Sequence, residues 1–287
     1  MRIGFLTAVG IIAFAWAAGL SPSSAGDDPV VAAAQAAETA LKAKVGLAVI
    51  DTGDDRTWFY QADDRFAMAS TSKALTCAAL LASADTVREA KAKILETDIQ
   101  EYAPVTKAMI GNTLPVSELC GIALRTSDNT AINKVLEKLG GPSAVTAFLR
   151  KIGDETTRLD RNEPTLNEAK PGDPRDTTTP RAISATLQKL VLGQALDRDA
   201  RNQLTDWLVK NEVGAPLLRA GIPADWRIAD RTGAGGFGTR GVIAVMWPPK
   251  HSPIVAAVYL TETEASMDQR NAAIASIGKA IANAVLK

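Results

Sequence analysis

Hydrophobic residues follow different periods along the chain, and these periods predict strands near both ends with helices between them. The segment 30–42 is rich in alanine and lacks Gly and Pro, which is typical of a surface helix. The pair Asp28-Pro29 just before it is a helix start signal. Two apolar segments, 45–50 and 57–60, flank a turn-forming stretch at 51–55 and are typical of a β-hairpin. The chain is therefore predicted to begin helix, strand, strand.

Over residues 70–139 the strand signals fade, and apolar residues recur at helical spacing. The positions with this spacing are Leu75, Ala78, Ala79 and Leu80, followed by Leu119, Ile122, Ala123 and Leu124. Gly140-Gly141-Pro142 ends the last of these predicted helices. A polar stretch with several prolines follows at 154–180. Because long irregular loops are uncommon in compact domains and are usually functional, this stretch is a candidate functional loop.

Three apolar segments near the C-terminus, 226–232, 240–247 and 254–260, are separated by glycine or proline and predict three strands. A final amphipathic helix is predicted at 265–286. Strands at both chain ends with helices between them predict an α+β fold. We expect one antiparallel sheet built from both ends and flanked by helices, with an all-helical lobe inserted.

The first 25 residues have the three parts of a secretory signal peptide. Met1-Arg2 carries a positive charge, residues 3–20 are apolar apart from Thr7, and residues 21–25 are small and end at Ala25. We expect cleavage after Ala25 and export of the chain, with no lipid anchor because no cysteine lies near the cleavage site. An uncleaved membrane anchor is the alternative, since the apolar run approaches the ~20 residues that a membrane span requires.

The remaining residues, 26–287, have no second apolar run long enough to span a bilayer, and no repeat. We expect one catalytic domain with two lobes, an α/β lobe at about 26–66 and 209–287 and a helical lobe at about 67–208. A ligand site is expected in the groove between them. Basic and acidic residues number 32 each, so no net charge attracts the chain to nucleic acid or anionic lipid, and a small ligand is favoured.

The cysteine and histidine content restricts the chemistry. In an exported chain the pair Cys77 and Cys120 indicates one disulfide, although two buried free thiols remain the alternative. The single histidine, His251, follows Pro248-Pro249-Lys250 in a predicted turn and is more typical of a solvated loop than of a catalytic base. One histidine and two cysteines are too few for the usual zinc sites. No metal or organic cofactor is therefore expected.

A candidate nucleophile lies in Ser70-Thr71-Ser72-Lys73, at the start of a predicted helix. Ser70 and Lys73 are three residues apart on one helical face, so the lysine can lie beside the hydroxyl and act on its proton. The N-terminus of a helix also offers backbone N–H groups to an oxyanion. Alone, the pattern predicts no more than a capped helix, because Ser-x-x-Lys arises by chance about once in a chain of this length.

Three further motifs carry polar chemistry. Ser127-Asp128-Asn129 follows an apolar helix and can relay a proton and hold a substrate amide, although as a helix N-cap it would be ordinary. Arg231-Thr232-Gly233 ends a predicted strand and places a cation and a hydroxyl beside small residues; the alternative is a strand that runs into a glycine turn. Residues 161–167 place Glu163 in the long loop, where a solvated turn is the alternative.

Together the four motifs resemble the signature set of the class A serine β-lactamases, Ser-x-x-Lys, Ser-Asp-Asn and Lys-Thr-Gly. The loop motif Glu163-Pro164-x-Leu166-Asn167 is specific to that class within its superfamily. The resemblance covers the whole chain after the leader. It implies the serine β-lactamase and penicillin-binding protein-like fold, a periplasmic location, a monomer, and hydrolysis of the β-lactam ring of penicillins through an acyl-enzyme on Ser70. Such an enzyme confers β-lactam resistance.

The resemblance also implies residue roles. Ser70 is the nucleophile, Lys73 a proton acceptor, Ser127 the proton donor to the departing ring nitrogen, Asn129 a contact for the substrate amide, and Glu163 with Asn167 the holder of the hydrolytic water. Whether Lys73 or Glu163 takes the proton from Ser70 stays open. The remaining roles are the oxyanion N–H groups of Ser70 and Ala234, the cleft edge at Tyr102, the substrate contacts Thr232 and Gly233, the ion pair of Arg161 with Asp176, and the disulfide of Cys77 with Cys120.

One position departs from the usual pattern, because Arg231 stands where lysine is usual. Arginine stays charged and binds carboxylates through a planar fork, so the position keeps a carboxylate anchor and cannot shuttle protons. An arginine there, followed by Ala-Gly-Gly-Phe-Gly, is similar to the carbenicillin-hydrolysing subgroup. Arg240 matches a second arginine that supports the substrate carboxylate. Two fixed cations predict a preference for penicillins with an extra carboxylate.

Three alternatives remain. A D-Ala-D-Ala carboxypeptidase or transpeptidase that binds penicillin shares the first three motifs, but it lacks the loop glutamate that activates water. A penicillin-sensing receptor domain needs a membrane-spanning segment and a partner domain. A secreted binding protein without catalysis would require the four motifs to occur together by chance.

Overall fold

The computed structural model describes Met1 and residues 28–286, so the predicted signal peptide lies, apart from Met1, outside the described residues. In chain order the helices and strands are α1 (Pro29–Leu41), β1 (Lys44–Asp51), β2 (Thr57–Tyr60), β3 (Phe66–Ala67), α2 (Ser72–Leu81), α3 (Asp85–Arg88), β4 (Lys91–Lys93), β5 (Thr113–Pro115), α4 (Val116–Thr126), α5 (Asn129–Leu139), α6 (Pro142–Lys151), β6 (Thr177–Thr178), α7 (Pro180–Val191), α8 (Arg198–Val209), α9 (Leu218–Gly221), β7 (Arg227–Ala234), β8 (Arg240–Trp247), β9 (Ile254–Thr261) and α10 (Met267–Val285). Short 3-10 helices lie at Ala69–Thr71, Glu96–Asp98, Thr106–Met109 and Thr165–Glu168.

The main sheet has five antiparallel strands in the order β2-β1-β9-β8-β7. It combines the first two strands of the described chain with the last three, which confirms the predicted sheet built from both ends. Alternate residues of β8 face opposite sides: Val242, Ala244 and Met246 belong to one apolar core, whereas Ile243 and Val245 belong to the other. Both faces are therefore covered, and β7 forms one edge of the sheet.

Helices α1, α9 and α10 cover the first face of the sheet. Their ends follow the predicted signals: the Asp28 side chain accepts a hydrogen bond from the Val30 N–H, and Ser266 with Gln269 forms a capping box at the start of α10. Helix α7 packs on the other face and joins it to the helical part of the fold.

Helix α2 lies at the centre of the helical part, and all ten of its residues are buried. Helices α4, α5, α6 and α8 pack around it. A disulfide joins Cys77 of α2 to Cys120 of α4, with the two Cα atoms 5.7 Å apart. This result decides between the disulfide and the two free thiols that the sequence left open. The helix that carries the candidate lysine is thus fixed covalently to its neighbour.

Two short strand pairs were missed by the sequence analysis. The prediction that 70–139 has no strands was wrong for β4 and β5, which pair with each other over three residues. The second missed pair is that of β3 with β6, over two residues. Pairs of this length are too short to display a period of two. The long stretch 154–180 is mostly irregular, as expected, and the β3–β6 pair ties its end to the segment that precedes Ser70.

Candidate active site

A cleft of about 360 Å³ lies between the end of β7 and the helical part of the fold. Its lining residues are Ser70, Tyr102, Ser127, Asn129, Asn167, Val213, Thr232, Gly233, Ala234, Arg240 and Met267. A larger cavity of about 1190 Å³ beside α3, α4 and α8 contains none of the predicted site residues. The smaller cleft is therefore the candidate site, because it collects side chains from all four motifs.

Ser70 lies in the 3-10 helix Ala69–Thr71, which leads directly into α2, and only 8% of it is exposed. The residue before it, Ala69, has φ +45°, a left-handed conformation that is unfavourable for a residue with a Cβ. Strain of this kind persists only where the surroundings fix the backbone. The turn therefore holds the Ser70 hydroxyl in a fixed position at the floor of the cleft.

Lys73 Nζ is the centre of a buried polar cluster. It lies 2.5 Å from Ser70 Oγ, 2.7 Å from Asn129 Oδ1 and 2.6 Å from Glu163 Oε1, with Ser127 Oγ at 3.3 Å. Burial lowers the pKa of Lys73 to about 8, against the opposing effect of the Glu163 carboxylate, and the nearby Arg231 lowers it further. A lysine with this pKa can change its charge near neutral pH.

Glu163 Oε1 also accepts a hydrogen bond from the Ser70 hydroxyl, at 3.0 Å. The same oxygen is thus within reach of both the nucleophile and Lys73. Its other oxygen, Oε2, accepts from Asn167 Nδ2 at 2.5 Å. The carboxylate is 3% exposed, so it acts in a nearly dry environment where such contacts are strong. The arrangement suits proton transfer to and from Ser70.

The backbone of Glu163 is fixed by Asn133 of α5, which the sequence analysis missed. The Asn133 amide donates to the Glu163 carbonyl at 2.8 Å, and its Oδ1 accepts from the Glu163 N–H at 3.0 Å. Asn133 follows Asn129 by four residues and therefore lies on the same face of α5. That spacing was the one available signal, and it could not be recognised without knowing that the loop lies against this face.

The loop that carries Glu163 is closed by Arg161 and Asp176. Arg161 Nε lies 2.5 Å from Asp176 Oδ2, and the backbone N–H groups of Asp160 and Arg161 both donate to Asp176 Oδ1. Asp176 is 1% exposed, so its charge is compensated by these donors. The structure brings the predicted pair together, although a second partner of Arg161, Glu168, was not predicted.

Ser127 has a left-handed backbone conformation, with φ +67°, at the end of α4. Its Oγ accepts from Arg231 Nη2 at 2.5 Å and lies within 3.3 Å of Lys73 Nζ. With two donors directed at its oxygen, the hydroxyl proton of Ser127 is left to point elsewhere, toward the cleft that Ser127 lines.

Asp128, the middle residue of the motif Ser127-Asp128-Asn129, has a structural role. Its carboxylate accepts from Ala131 N–H as the N-cap of α5 and from the Val105 and Thr106 N–H groups. The Asn129 N–H in turn donates to the Tyr102 carbonyl. The N-cap interpretation was therefore correct for Asp128, while its neighbours face the cleft. Tyr102 is 49% exposed at the edge of that cleft.

The end of β7 lies against the turn that carries Ser70. A Cβ built on Gly233 would lie 2.6 Å from the Met68 carbonyl oxygen and 3.1 Å from the Ser70 nitrogen, so only glycine fits there. The Gly236 N–H donates to the Asn167 carbonyl, which also links this edge to the glutamate loop. The backbone of Ala234 and that of Ser70 thus line one cleft, as an oxyanion site requires.

The two arginines differ in their surroundings. Arg231 is fully buried, and apart from the bond of Nη2 to Ser127 its Nε and Nη1 have no partner among the described residues. Arg240 lines the cleft, where its Nε donates to Asn271 Oδ1 at 2.8 Å and its Nη1 to the Gly233 carbonyl. Burial lowers the pKa of each guanidinium to about 10, so both stay charged at neutral pH.

His251 lies at the turn between β8 and β9, at the opposite end of these strands from the cleft. Its Nε2 is 3.6 Å from the buried Asp51 carboxylate. Within residues 28–286, no group of three or more His, Cys, Asp and Glu side chains is placed to hold a metal ion. Over the same range, no helix is both long and apolar enough to cross a membrane.

The family model for the beta-lactamase enzyme family matches residues 29–285. Among curated proteins, Beta-lactamase AER-1 of Aeromonas hydrophila is 42% identical over 99% of this chain and 96% of its own length. Beta-lactamase PSE-4 of Pseudomonas aeruginosa is 45% identical over 86% of this chain and 87% of its own length.

Solved structures agree with the sequence comparisons. The ancestral (GNCA) class A beta-lactamase is 51% identical, with a TM-score of 0.86 over 89% of this chain and 99% of that one. The chromosome-encoded beta-lactamase of Vibrio parahaemolyticus is 42% identical, with a TM-score of 0.86 over 89% of this chain and 98% of that one. The fold similarity therefore extends across both the sheet and the helical part.

Proposed function

Since the chain belongs to the class A β-lactamases, we propose that it hydrolyses penicillins in two steps, through a covalent ester on Ser70. One observation carries this assignment. The Ser70 hydroxyl lies within hydrogen-bonding distance of both Lys73 and Glu163, so the nucleophile, a cation and a carboxylate meet at one oxygen. An alcohol needs such an adjacent base to attack an amide.

In the acylation step, Ser70 Oγ attacks the carbonyl carbon of the β-lactam while its proton passes to Glu163 Oε1. The Lys73 ammonium is within hydrogen-bonding distance of four acceptors and holds no lone pair while charged, which favours Glu163 as the proton acceptor at neutral pH. The developing oxyanion is stabilised by the N–H groups of Ser70 and Ala234. Donors of this kind contribute on the order of 10²-fold or more in rate.

Collapse of the tetrahedral intermediate breaks the carbon–nitrogen bond of the ring. Ser127 gives its proton to the departing nitrogen, Lys73 replaces that proton across 3.3 Å, and Glu163 returns a proton to Lys73 across 2.6 Å. In net terms one proton has then moved from Ser70 to the product nitrogen, and Ser127, Lys73 and Glu163 have their starting charges. The short distances within the cluster support this circuit.

In the deacylation step, a water molecule held by Glu163 and Asn167 attacks the ester. Glu163 takes one proton from the water, the hydroxide adds to the carbonyl carbon, and Ser70 leaves as an alcohol when that proton is returned. The 2.5 Å bond from Asn167 to Glu163 supports the pairing of these two side chains. A loop glutamate in this position is what a slow penicillin-binding carboxypeptidase or transpeptidase lacks.

The test is the mass of the intact protein over time after mixing with benzylpenicillin, for the wild type and for Glu163→Ala. A transient adduct on the wild type with hydrolysed drug is expected. On the variant we expect an adduct that forms more slowly and then persists, because Glu163 is the base in both steps. A persistent adduct on both proteins would assign the chain to the penicillin-binding enzymes or sensors. The absence of adduct and turnover on both would refute the role of Ser70.

We further propose a preference for penicillins with a second carboxylate, supported by the charge of Arg240 at the cleft and of Arg231, which is buried behind Ser127. Arg240 contacts the cleft directly, so Arg240→Ala is expected to lower kcat/KM for carbenicillin more than for benzylpenicillin. Arg270→Ala is the matched control, because Arg270 is a nearby guanidinium that does not line the cleft. A wild-type enzyme with poor relative turnover of carbenicillin would refute the preference.

The remaining proposals concern the molecule as exported. We propose that residues 1–25 are removed as a signal peptide and that 26–287 act as a monomeric periplasmic enzyme, with a small β-lactam as its partner and no nucleic acid. The two lobes proposed are about 26–66 with 209–287, and about 67–208. The cleft between β7 and the helical part supports this division. N-terminal sequencing of the exported protein would test the cleavage site.

A further inference from the structure

Tyr259 of β9 is buried beneath the turn that carries Ser70, and nothing in the sequence motifs points to it. Its side chain is fully buried, and its hydroxyl oxygen lies 2.8 Å from Thr71 Oγ1. Thr71 immediately follows the nucleophile and is also fully buried. A strand in the centre of the sheet is thereby connected by one hydrogen bond to the catalytic turn.

The direction of that bond follows from the second contact of Thr71. Thr71 Oγ1 donates to the Met68 carbonyl oxygen at 2.8 Å, which uses its single proton. The Tyr259 hydroxyl must therefore be the donor to Thr71. Burial raises the pKa of Tyr259, so the phenol keeps this proton throughout the working range of the enzyme. The chain of bonds runs from Tyr259 to Thr71 and on to Met68.

These bonds enclose the strained residue. Met68 and Thr71 flank the pair Ala69-Ser70, and the Met68 carbonyl accepts both the N–H and the hydroxyl of Thr71. The left-handed conformation of Ala69 can persist only if such contacts fix the turn from outside. From the other side the turn is held by the Met68 N–H, which donates to the Asp176 carbonyl at 2.9 Å.

The sheet is shaped to admit the Tyr259 ring. Both cross-strand neighbours of Tyr259 are glycines, Gly46 on β1 and Gly241 on β8. A Cβ on Gly241 would lie 2.5 Å from the Tyr259 ring, and one on Gly46 would lie 2.3 Å from the ring of Phe66, which stacks on Tyr259 with 6.0 Å between the centroids. Side chains at these glycines would displace the rings and with them the hydroxyl.

We propose that Tyr259 is a positioning residue for the nucleophile, which acts through Thr71 to hold the Met68–Thr71 turn and so aims the Ser70 hydroxyl and N–H. This inference rests on the proposed function, because it concerns the acylation of Ser70. The wild type is therefore measured first. A wild type that fails to hydrolyse penicillin contradicts the proposed function, whereas a defect confined to the variants below concerns Tyr259.

The first variant is Tyr259→Phe, which removes the hydroxyl and keeps the stacked ring. The acylation rate constant at saturating benzylpenicillin is expected to fall about tenfold by stopped-flow measurement, while the dissociation constant of the initial complex changes less than twofold. Tyr60→Phe is the matched control, since Tyr60 lies in the same sheet and its hydroxyl bonds Glu38 at 3.1 Å, away from the cleft. Equal acylation rates for Tyr259→Phe and the control overturn the proposal.

A second pair of variants covers the case in which Tyr259→Phe does not fold. Thr71→Ser keeps the hydroxyl and is expected to acylate at the wild-type rate, whereas Thr71→Val is expected to lose about tenfold. Where Tyr259→Phe folds, the double variant with Thr71→Val should lose no more than the worse single variant, because both remove one chain of bonds. Slow acylation of Thr71→Ser or wild-type acylation of Thr71→Val overturns the proposal. So does a double variant whose loss in acylation rate equals the product of the two single losses.

Discussion

At the scale of single residues, the site depends on charges that have been removed from water. Lys73 and Glu163 are 1% and 3% exposed, and an unpaired charge at such depth costs several kcal/mol. Each is instead placed beside a partner of opposite charge and beside neutral acceptors or donors. The same burial makes the proton affinity of Lys73 sensitive to the Glu163 carboxylate beside it, which is a property that proton transfer requires.

The pH dependence of acylation tests which residue is the base. Burial lowers the pKa of Lys73 from 10.5 to about 8, so the ammonium is lost as the pH rises through about 8. If the charged form assists while Glu163 takes the proton, the single-turnover acylation rate should fall above pH 8. A rate that instead rises through the same interval would assign the base to neutral Lys73. Stopped-flow measurements between pH 6 and 9.5 decide whether the acylation rate falls or rises.

Asn133 provides a second test at this scale. Removal of its two hydrogen bonds to the Glu163 backbone in Asn133→Ala frees the glutamate to move, and each such bond contributes about 1 kcal/mol. Deacylation should slow by roughly tenfold or more, and acylated protein should accumulate by mass spectrometry. Asn133→Asp keeps the acceptor oxygen but places its second oxygen against the Glu163 carbonyl, so it should also slow deacylation. Unchanged steady-state turnover in Asn133→Ala would contradict the role given to Asn133.

At the scale of elements, the glutamate loop is held at its ends and its middle by different contacts. The β3–β6 pair and the Met68–Asp176 bond tie its end to the segment of Ser70. Gly236 of the β7–β8 turn binds the Asn167 carbonyl near its middle. The loop has little regular structure of its own, so its position depends on these contacts and on the internal bonds from residues 160 and 161 to Asp176.

Asp176 should therefore affect deacylation although it lies away from the reacting atoms. Asp176→Ala leaves Arg161 Nε and two backbone N–H groups without their acceptor, and removal of one partner of a buried pair costs about 3–5 kcal/mol. Loop closure should weaken, with deacylation slowed more than acylation. Arg175→Ala is the control on the same loop, because the Arg175 side chain is half exposed and its pair with Asp173 should contribute little. Equal kinetics of the two variants would refute this view of the loop.

At the scale of the whole molecule, covalent and non-covalent connections hold the helical part around α2. The disulfide closes a loop of 43 residues, which on the chain-entropy model stabilises the fold by about 4 kcal/mol. Replacement of Cys77 and Cys120 by alanine should lower the free energy of unfolding in urea by roughly this amount. The activity of the folded fraction should be unchanged, since neither sulfur contacts the cleft. A variant as stable as the wild type would contradict the prediction.

Much of the architecture was predictable because its elements are long and periodic. Strands β2 and β8 have the predicted bounds, and β7, β9 and α10 differ by one or two residues. The short pairs β3–β6 and β4–β5 were not predictable, because two or three residues do not reveal a period. Their partners are also far apart in sequence, and no local pattern indicates which segments meet.

The residues of the candidate site also fall into those that the sequence predicts and those that it does not. Residues in short motifs, such as Ser70, Lys73 and Glu163, were found because the motif itself carries the signal. Asn133 and Tyr259 were missed because each acts through a bond to the backbone or to a residue next to a motif. A lone asparagine in a helix or a lone tyrosine in a strand has ordinary local sequence, and its importance comes only from the tertiary contact.

The position of β7 at the edge of the sheet has a consequence for recognition. An open edge normally invites unwanted pairing with other chains, yet here its end lines the cleft at Thr232, Gly233 and Ala234. A ligand with an amide group can lie beside this edge as an additional strand and form hydrogen bonds with the main chain of β7. Main-chain atoms are the same whatever the substituents of the drug. Binding along this edge would therefore depend on the amide of the ligand more than on its side groups.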